Sequence, residues 1–227
     1  MAQLVKNITS IKYFLKYHDI IDNEYNIKMQ YHPKADSEFT SLPTFVAEFK
    51  NCSVNSLPVL VTEDRHLVTE HLWPMLDKYK HKPKKHHDLW DSWGENIDIR
   101  MPPITKQFHD TYKYVWLPID KESTNNPWHI WIDVISKFRL MEKRWSTNFA
   151  KYIYILSNPS PYFDKVAKEI FPELKYYVMP EGETWRFQHL MAPSMSNHND
   201  GVVTPHLPRW LRHFKGSFQI PENKKPF

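Results

Sequence analysis

A histidine and an aspartate four positions apart are the residues of this chain best suited to proton chemistry. His129 and Asp133 lie in the run N-N-P-W-H-I-W-I-D, and residues four apart are neighbours on the surface of an α-helix. A carboxylate or an imidazole can remove a proton from a hydroxyl group, and an adjacent pair can act jointly, one group orienting the other. The alternative is a simple surface pair that stabilises the helix by a few tenths of a kcal/mol. Both interpretations require the two side chains to share one helix face.

The helix that positions this pair is predicted to begin at Pro127. Asn126 supplies a side-chain oxygen that can cap free backbone N–H groups, and proline at the first helical position has a preset φ and no N–H. At 3.6 residues per turn the sequence predicts a broad apolar arc, which consists of Ile130, Trp131, Val134, Ile135 and Phe138. The adjoining arc is predicted to be polar and consists of Asn126, His129, Asp133, Ser136 and Lys137.

The elements on either side of this helix indicate an α/β fold. Strands are predicted near 114–118, 152–156, 176–179 and 184–190, a second helix follows Ser160, a polar loop covers 195–201, and a last helix is led by Pro208. Alternating strands and helices favour right-handed crossovers and a parallel, Rossmann-like sheet with flanking helices. Upstream, the sequence predicts a helix at 10–22 and short strands at 25–31, 44–49, 58–62 and 67–68.

We expect one compact domain with three regions. Residues 1–112 are a lead-in of short strands and helices, residues 113–216 are the Rossmann-like unit, and residues 217–227 are a loose tail containing two prolines.

Side chains at the carboxyl edge of the sheet are candidates for substrate binding, because ligands of such sheets lie beyond the carboxyl ends of the strands. Ser157 and Asn158 directly follow a predicted strand, so we predict that they contact substrate, as does Asn126 unless it is only a helix cap. Trp128 and Lys137 are further candidates, for which packing or solvation is the alternative.

The pattern Asn-x-x-His-x-x-x-Asp at the start of an amphipathic helix resembles the first signature of glycosyltransferase family 61. Similar segments follow in the same order: the strand-and-helix run Tyr152 to Phe171, then Leu190-Met191-Ala192-Pro193-Ser194, then Pro205 to Arg212. That family includes plant xylosyl- and arabinosyltransferases and animal protein O-linked N-acetylglucosaminyltransferases. The resemblance covers most of the chain and implies one half of a GT-B architecture. In it, Asp133 matches the candidate base and His129 the family's histidine.

The resemblance implies transfer of a sugar from a nucleotide-sugar donor to a hydroxyl group of a glycan or protein acceptor. In GT-B enzymes a second Rossmann-like half binds the donor. The motifs of that half, an arginine-rich stretch followed by Asn-Glu and a His-Gly-Ala run, are not found in this sequence. We therefore expect an acceptor-side half that works with a separate donor-binding half or as a homo-oligomer, with no cofactor.

Two other functions stay open at this point. A non-catalytic carbohydrate- or protein-binding module could keep the same fold. A basic nucleic-acid-binding protein could use the run from Lys78 to His87, K-Y-K-H-K-P-K-K-H-H, although a solvated loop is the alternative for that run. The net charge of +4 is too mild to indicate nucleic-acid binding, so nucleic acid is not an expected partner.

The composition narrows the class of protein further. Hydrophobic residues at 41% and charged residues at 25% are ordinary for a soluble globular protein. The single cysteine, Cys52, excludes an intramolecular disulfide. No apolar run suits a signal peptide or a membrane span, so we expect a cytoplasmic protein. The four glycines lack phosphate-loop or dinucleotide-fold spacing, and the histidines lack paired ligand spacing, so no metal site is expected.

Overall fold

The computed structural model describes residues 3–5, 8–9, 20–22, 26–28, 38–40, 44–56, 59–64, 67–68, 99–111, 113–119, 124–145, 148–158, 160–194, 197–198, 202–203 and 206–213. These residues form a mixed sheet of mostly parallel strands with a few helices, so the α/β prediction is confirmed. Within these ranges, no helix combines the length and the apolar character needed to cross a membrane.

The described strands are numbered in chain order. They are β1 (Gln3–Val5), β2 (Ile8–Thr9), β3 (Ile20–Asp22), β4 (Asn26–Lys28), β5 (Glu38–Thr40), β6 (Thr44–Asn55), β7 (Leu60–Val61), β8 (Leu67–Val68), β9 (Ile99–Met101), β10 (Ile104–Phe108), β11 (Tyr114–Leu117), β12 (Ile153–Leu156), β13 (Lys175–Val178), β14 (Thr184–Pro193), β15 (Asn197–His198) and β16 (Val202–Val203).

Ten of the described strands form the main sheet, in the order β13-β12-β11-β14-β6-β7-β8-β2, with β10 also paired to β14 and β3 to β6. Strands β11, β12 and β13 are parallel neighbours, and β14 is parallel to both β10 and β11. Strand β6 runs antiparallel to β14, from Thr184 opposite Asn55 to Pro193 opposite Val46. The long β6–β14 ladder therefore joins the N-terminal region and the α/β unit in one sheet. Three two-stranded sheets, β1-β9, β4-β5 and β15-β16, complete the described strands.

Three helices accompany the sheet within the described residues. A continuous helical run, α1, spans residues 127–145 and consists of an α-helical turn (Pro127–His129), a π-helical segment (Ile130–Ile135) and an α-helix (Ser136–Trp145). Helix α2 is Pro161–Ile170 and helix α3 is His206–Leu211. A single 3₁₀ turn, Phe149–Lys151, lies between α1 and β12.

Both long helices begin where the sequence predicts. The Asn126 side chain accepts a hydrogen bond from the backbone N–H of Trp128 at 3.0 Å, and the Ser160 hydroxyl accepts one from that of Phe163 at 3.1 Å. A proline follows each cap, at a position where a missing N–H costs nothing.

The core lies on both faces of the sheet. One cluster is built from α1, α2 and α3 against the β11, β12 and β14 side chains Val115, Tyr154 and Met191. The other cluster consists mainly of strand residues, and its largest members are Trp116 and Trp185. The helices thus cover one face, and burial of apolar side chains on both faces stabilises the sheet.

Several sequence predictions need correction. Residues 20–22 form a strand and not the end of a helix, while residues 10–19 lie outside the described part. Within the predicted loop at 195–201, Asn197–His198 pairs with Val202–Val203. The last helix begins at His206, before Pro208. Strands β1, β2, β5, β9 and β10 were not predicted at all. The run 78–87 and the predicted tail at 217–227 lie outside the described residues.

Tyr176 links β13 to α2 and should make stability fall at alkaline pH. Its hydroxyl donates to the Asp164 carboxylate, and burial together with that hydrogen bond raises the pKa of Tyr176 to about 12. In the unfolded chain the Tyr176 hydroxyl ionises near pH 10. The stabilisation is therefore complete below pH 10 and is lost as the pH rises from 10 to about 12. Chemical denaturation across this window should show a steeper loss for the natural chain than for Tyr176→Phe.

Tyr177→Phe is the matched control, because this neighbouring side chain is 47% exposed. If Tyr176→Phe and the natural chain lose stability in parallel between pH 10 and 12, the hydrogen bond to Asp164 does not act as described.

Candidate functional site

The predicted His–Asp pair is formed in the structure. His129 Nδ1 and Asp133 Oδ2 are 2.7 Å apart, with 39% of the His129 side chain and 17% of the Asp133 side chain exposed. The second carboxylate oxygen, Asp133 Oδ1, is shielded from solvent and accepts no hydrogen bond within the described part of the chain. The imidazole of His129 is therefore more accessible to solvent than the Asp133 carboxylate.

The pair is held in an unusual helical segment. Asp133 lies within the π-helical run Ile130–Ile135, and the backbone N–H of Ser136 bonds to the carbonyl of Trp131 five residues back. Such segments are rare and occur frequently at functional sites. Burial is also not confined to one face of the helix, since residues 134–141 are all buried. Ser136 and Lys137, predicted on the polar arc, are both only 1% exposed.

The other predicted residues on this helix have different surroundings. Asn126 caps the helix through the bond to the Trp128 N–H, as the structural interpretation requires. Trp128 is 51% exposed, so its ring is accessible to a ligand. Lys137 is only 1% exposed, so it does not share an accessible surface with His129.

A cavity of about 410 Å³ opens at the carboxyl ends of β12 and β13. Its lining consists of Thr124, Ser157, Asn158, Val178, Met179, Pro180 and Glu181. The cavity thus lies at the sheet edge where the fold predicts ligand binding. Of the predicted site residues, Ser157 and Asn158 line it, whereas those on α1 do not.

The side chains of Ser157 and Asn158, which follow β12, also form hydrogen bonds to the segments after β11 and β6. The Ser157 hydroxyl accepts from the Ile119 N–H at 2.7 Å and donates to the Ile119 carbonyl at 2.8 Å. The Asn158 amide nitrogen donates to the backbone carbonyls of Ile119 and Ser56. The nitrogen also lies 3.4 Å from Ser157 Oγ. Because the two carbonyls can only accept, the amide orientation follows from the hydrogen bonds. Ser157 is only 1% exposed, so its main role is structural.

Glu181 is a cavity residue that the sequence analysis missed. It lies in the turn between β13 and β14, where the Glu183 N–H donates to the Pro180 carbonyl at 3.2 Å. Gly182 has a φ of 79°, as the third residue of a type II turn requires, and its N–H donates to the Ser56 hydroxyl at 3.0 Å. The signal was present as Pro-Glu-Gly after a strand, which is typical of this turn.

The described residues contain neither a group of three or more metal-ligating side chains nor a reactive thiol. No three His, Cys, Asp or Glu side chains within them are grouped as metal ligands. Cys52 is fully buried, and burial raises the pKa of its thiol far above the ordinary range. A thiol that stays protonated is a poor nucleophile.

Comparison of the chain with protein-family models, curated proteins and solved structures found no match in any of the three. The resemblance to glycosyltransferase family 61 therefore depends on the short motif around His129 and Asp133 and the segments that follow it, and it stays a prediction. Any statement of function has to be argued from the geometry of the pair and the cavity.

Proposed function

We propose that the chain is the acceptor-side half of a glycosyltransferase, in which His129 removes the proton of the acceptor hydroxyl group and Asp133 orients His129. The observation that carries the proposal is the 2.7 Å contact between the two side chains on a partly exposed helix face. The π-helical setting, the parallel strands and the motif's resemblance to family 61 support it.

The exposure of the two side chains decides their roles in the proposed step. Asp133 Oδ2 contacts His129 and Oδ1 is shielded, so the carboxylate is poorly placed to reach an acceptor. In the tautomer that donates from Nδ1–H to Asp133, the imidazole lone pair is on Nε2. His129 is therefore the better base, and the carboxylate stabilises the imidazolium that forms.

The proposed reaction is a direct displacement. Nε2 of His129 takes the acceptor proton while the acceptor oxygen bonds to the anomeric carbon of the donor sugar. The bond from that carbon to the phosphate oxygen breaks, and its electron pair leaves with the nucleotide diphosphate. One displacement inverts the configuration at the anomeric carbon.

Donor binding is assigned in this proposal to a separate half. The glycine-rich loops that cradle nucleotide phosphates are not in this sequence. A second chain or a second copy of this one would then supply the phosphate-binding groups.

The test is a transfer assay read by mass spectrometry. The purified chain, alone and co-expressed with candidate donor-binding partners, is incubated with nucleotide sugars and a glycan and peptide panel. We expect a mass increase of one sugar in an acceptor only when a partner is present. Turnover of a UDP-sugar by the pure monomer would contradict the assignment of the donor site to another half.

The position of the cavity favours one second candidate function. Because His129 and Asp133 do not line it, the cavity could bind carbohydrate in a module that performs no catalysis. Glycan binding that is never followed by transfer, with any partner or donor, would favour this module over the enzyme.

A further inference from the structure

The cavity at the carboxyl ends of β12 and β13 is a candidate ligand site separate from the His–Asp pair. Its volume of about 410 Å³ falls within the roughly 300–1,000 Å³ range of small-molecule sites. It is lined by strand ends and by the turn before β14, with no contribution from His129 or Asp133. A ligand in it would not itself be in contact with the proposed base.

The cavity has an apolar wall and a polar wall. Val178 and Pro180 supply exposed apolar atoms, while Asn158 and Glu181 supply polar ones and Met179 is fully buried. The Asn158 nitrogen already donates to two backbone carbonyls, so the side-chain oxygen is the group that Asn158 offers to the cavity. Together with the Glu181 carboxylate, the polar wall is rich in hydrogen-bond acceptors.

These walls suit a sugar ring better than a phosphate. A pyranose presents hydroxyl donors on its rim and C–H groups on its faces, which match acceptor oxygens on one side and Val178 and Pro180 on the other. The described lining contains no lysine or arginine, and the charged residue among these side chains, Glu181, has the same sign of charge as a phosphate. The usual phosphate-binding groups are thus lacking from this lining.

The chain itself limits how far the cavity lies from the pair. Thr124 lines the cavity, and His129 follows five residues later. Since a residue step spans at most about 3.6 Å, the Cα atoms of Thr124 and His129 are at most roughly 18 Å apart. A short oligosaccharide can extend between two positions at such a separation.

We infer that the cavity is a subsite for a non-reacting sugar unit of an oligosaccharide acceptor, whose reacting unit lies against His129. This inference rests on the proposed function, since it assumes that the hydroxyl group approaching His129 belongs to a glycan. It makes the acceptor an oligosaccharide and excludes the nucleotide part of the donor from this cavity.

The test measures binding by the full chain, without transfer. The ¹⁵N-labelled protein is titrated with malto-, manno- and chito-oligosaccharides of one to four units, and separately with UDP. In at least one series we expect shifts of the Asn158, Met179 and Glu181 amide resonances, with the tetrasaccharide binding at least 10-fold more tightly than the monosaccharide. UDP should leave these resonances unchanged.

Glu181→Ala is the diagnostic variant, because the residue is exposed in a turn and its removal spares the core. It should weaken binding of the tetrasaccharide at least 5-fold. Glu169→Ala, at an exposed position of α2 away from the cavity, should leave the affinity unchanged.

Four results would overturn the inference: no saccharide shifting these amides, equal affinity for one and four units, shifts by UDP of similar size, or no effect of Glu181→Ala. The proposed function fails on different evidence. Oligosaccharide binding at the cavity without any transfer would count against the enzyme and not against the subsite. Transfer that occurs without shifts of the cavity amide resonances would count against the subsite and not against the enzyme.

Discussion

Phe138→Ala should lower the free energy of unfolding by about 3–5 kcal/mol, the usual cost of truncating a fully buried phenylalanine. The ring is 0% exposed and stacks on Phe149 at 5.2 Å between centroids. Tyr154 and Phe171 contact it edge-on at 4.7 and 5.4 Å. These neighbours come from three separate parts of the chain, so a cavity left by alanine cannot be closed by a small shift of one of them.

Urea denaturation measures this change, and Trp128→Ala is the matched control. Trp128 is an aromatic residue of the same helix but is 51% exposed, so its truncation should change stability by about 0.5 kcal/mol or less. Since domains of this kind are stable by only about 5–15 kcal/mol, Phe138→Ala should remove a large part of the total. A loss below 1 kcal/mol would mean that the aromatic cluster is not packed as described.

The elements that the sequence predicted best are those with a local signal. Asn126 and Ser160 are each followed by a proline, and each caps a helix in the structure. Alternation of strands and helices after Lys113 was enough to predict β11, β12 and β13, because each strand pairs with the next along the chain.

Elements that depend on a distant partner were missed. Strand β10 has almost entirely exposed side chains, so the sequence carries no alternation of buried and exposed residues there. It is a strand because β14, about 80 residues later, supplies its hydrogen bonds. Strand β6 extends to Asn55, beyond its predicted end at residue 49, for the same reason, since β14 pairs with it throughout.

The same distinction between local signals and distant partners applies to the candidate site. His129 and Asp133 were found because their spacing places them one turn apart, and that contact is local. The burial of Ser136 and Lys137 was not predictable from a period of 3.6, because residues 134–141 are buried on every face of the helix and not on one arc. Glu181 was missed because only the folded sheet brings the turn after β13 next to Asn158.

Asp133→Asn should reduce transfer by the assembled enzyme at least 100-fold, about 2.7 kcal/mol of transition-state stabilisation. Asparagine keeps the size of the side chain and can still contact His129. It cannot stabilise an imidazolium, and its amide group can donate to Nδ1, which would move the imidazole proton to Nε2. The expected loss is in kcat, with KM little changed, because Asp133 positions the base and does not contact the substrate.

Stability should respond much less than activity to the same substitution. Asp133 Oδ1 makes no hydrogen bond within the described residues, and Oδ2 contacts a histidine that is 39% exposed. The change in the free energy of unfolding should therefore be about 0.5 kcal/mol or less. If Asp133 instead anchors a buried network, the loss should reach several kcal/mol, because a partner would be left unsatisfied.

Asp164→Asn is the control that distinguishes a catalytic effect of Asp133→Asn from the general effect of removing a carboxylate from a helix. Asp164 forms a pair of the same i,i+4 spacing with Lys168 on α2, and its side chain is 43% exposed. This variant should keep full transfer activity.

A melting curve of Asp133→Asn needs no knowledge of the substrate and is the first measurement to make. A large loss of stability there would assign Asp133 to the fold, and the pair would then offer no support for a proton-transfer site.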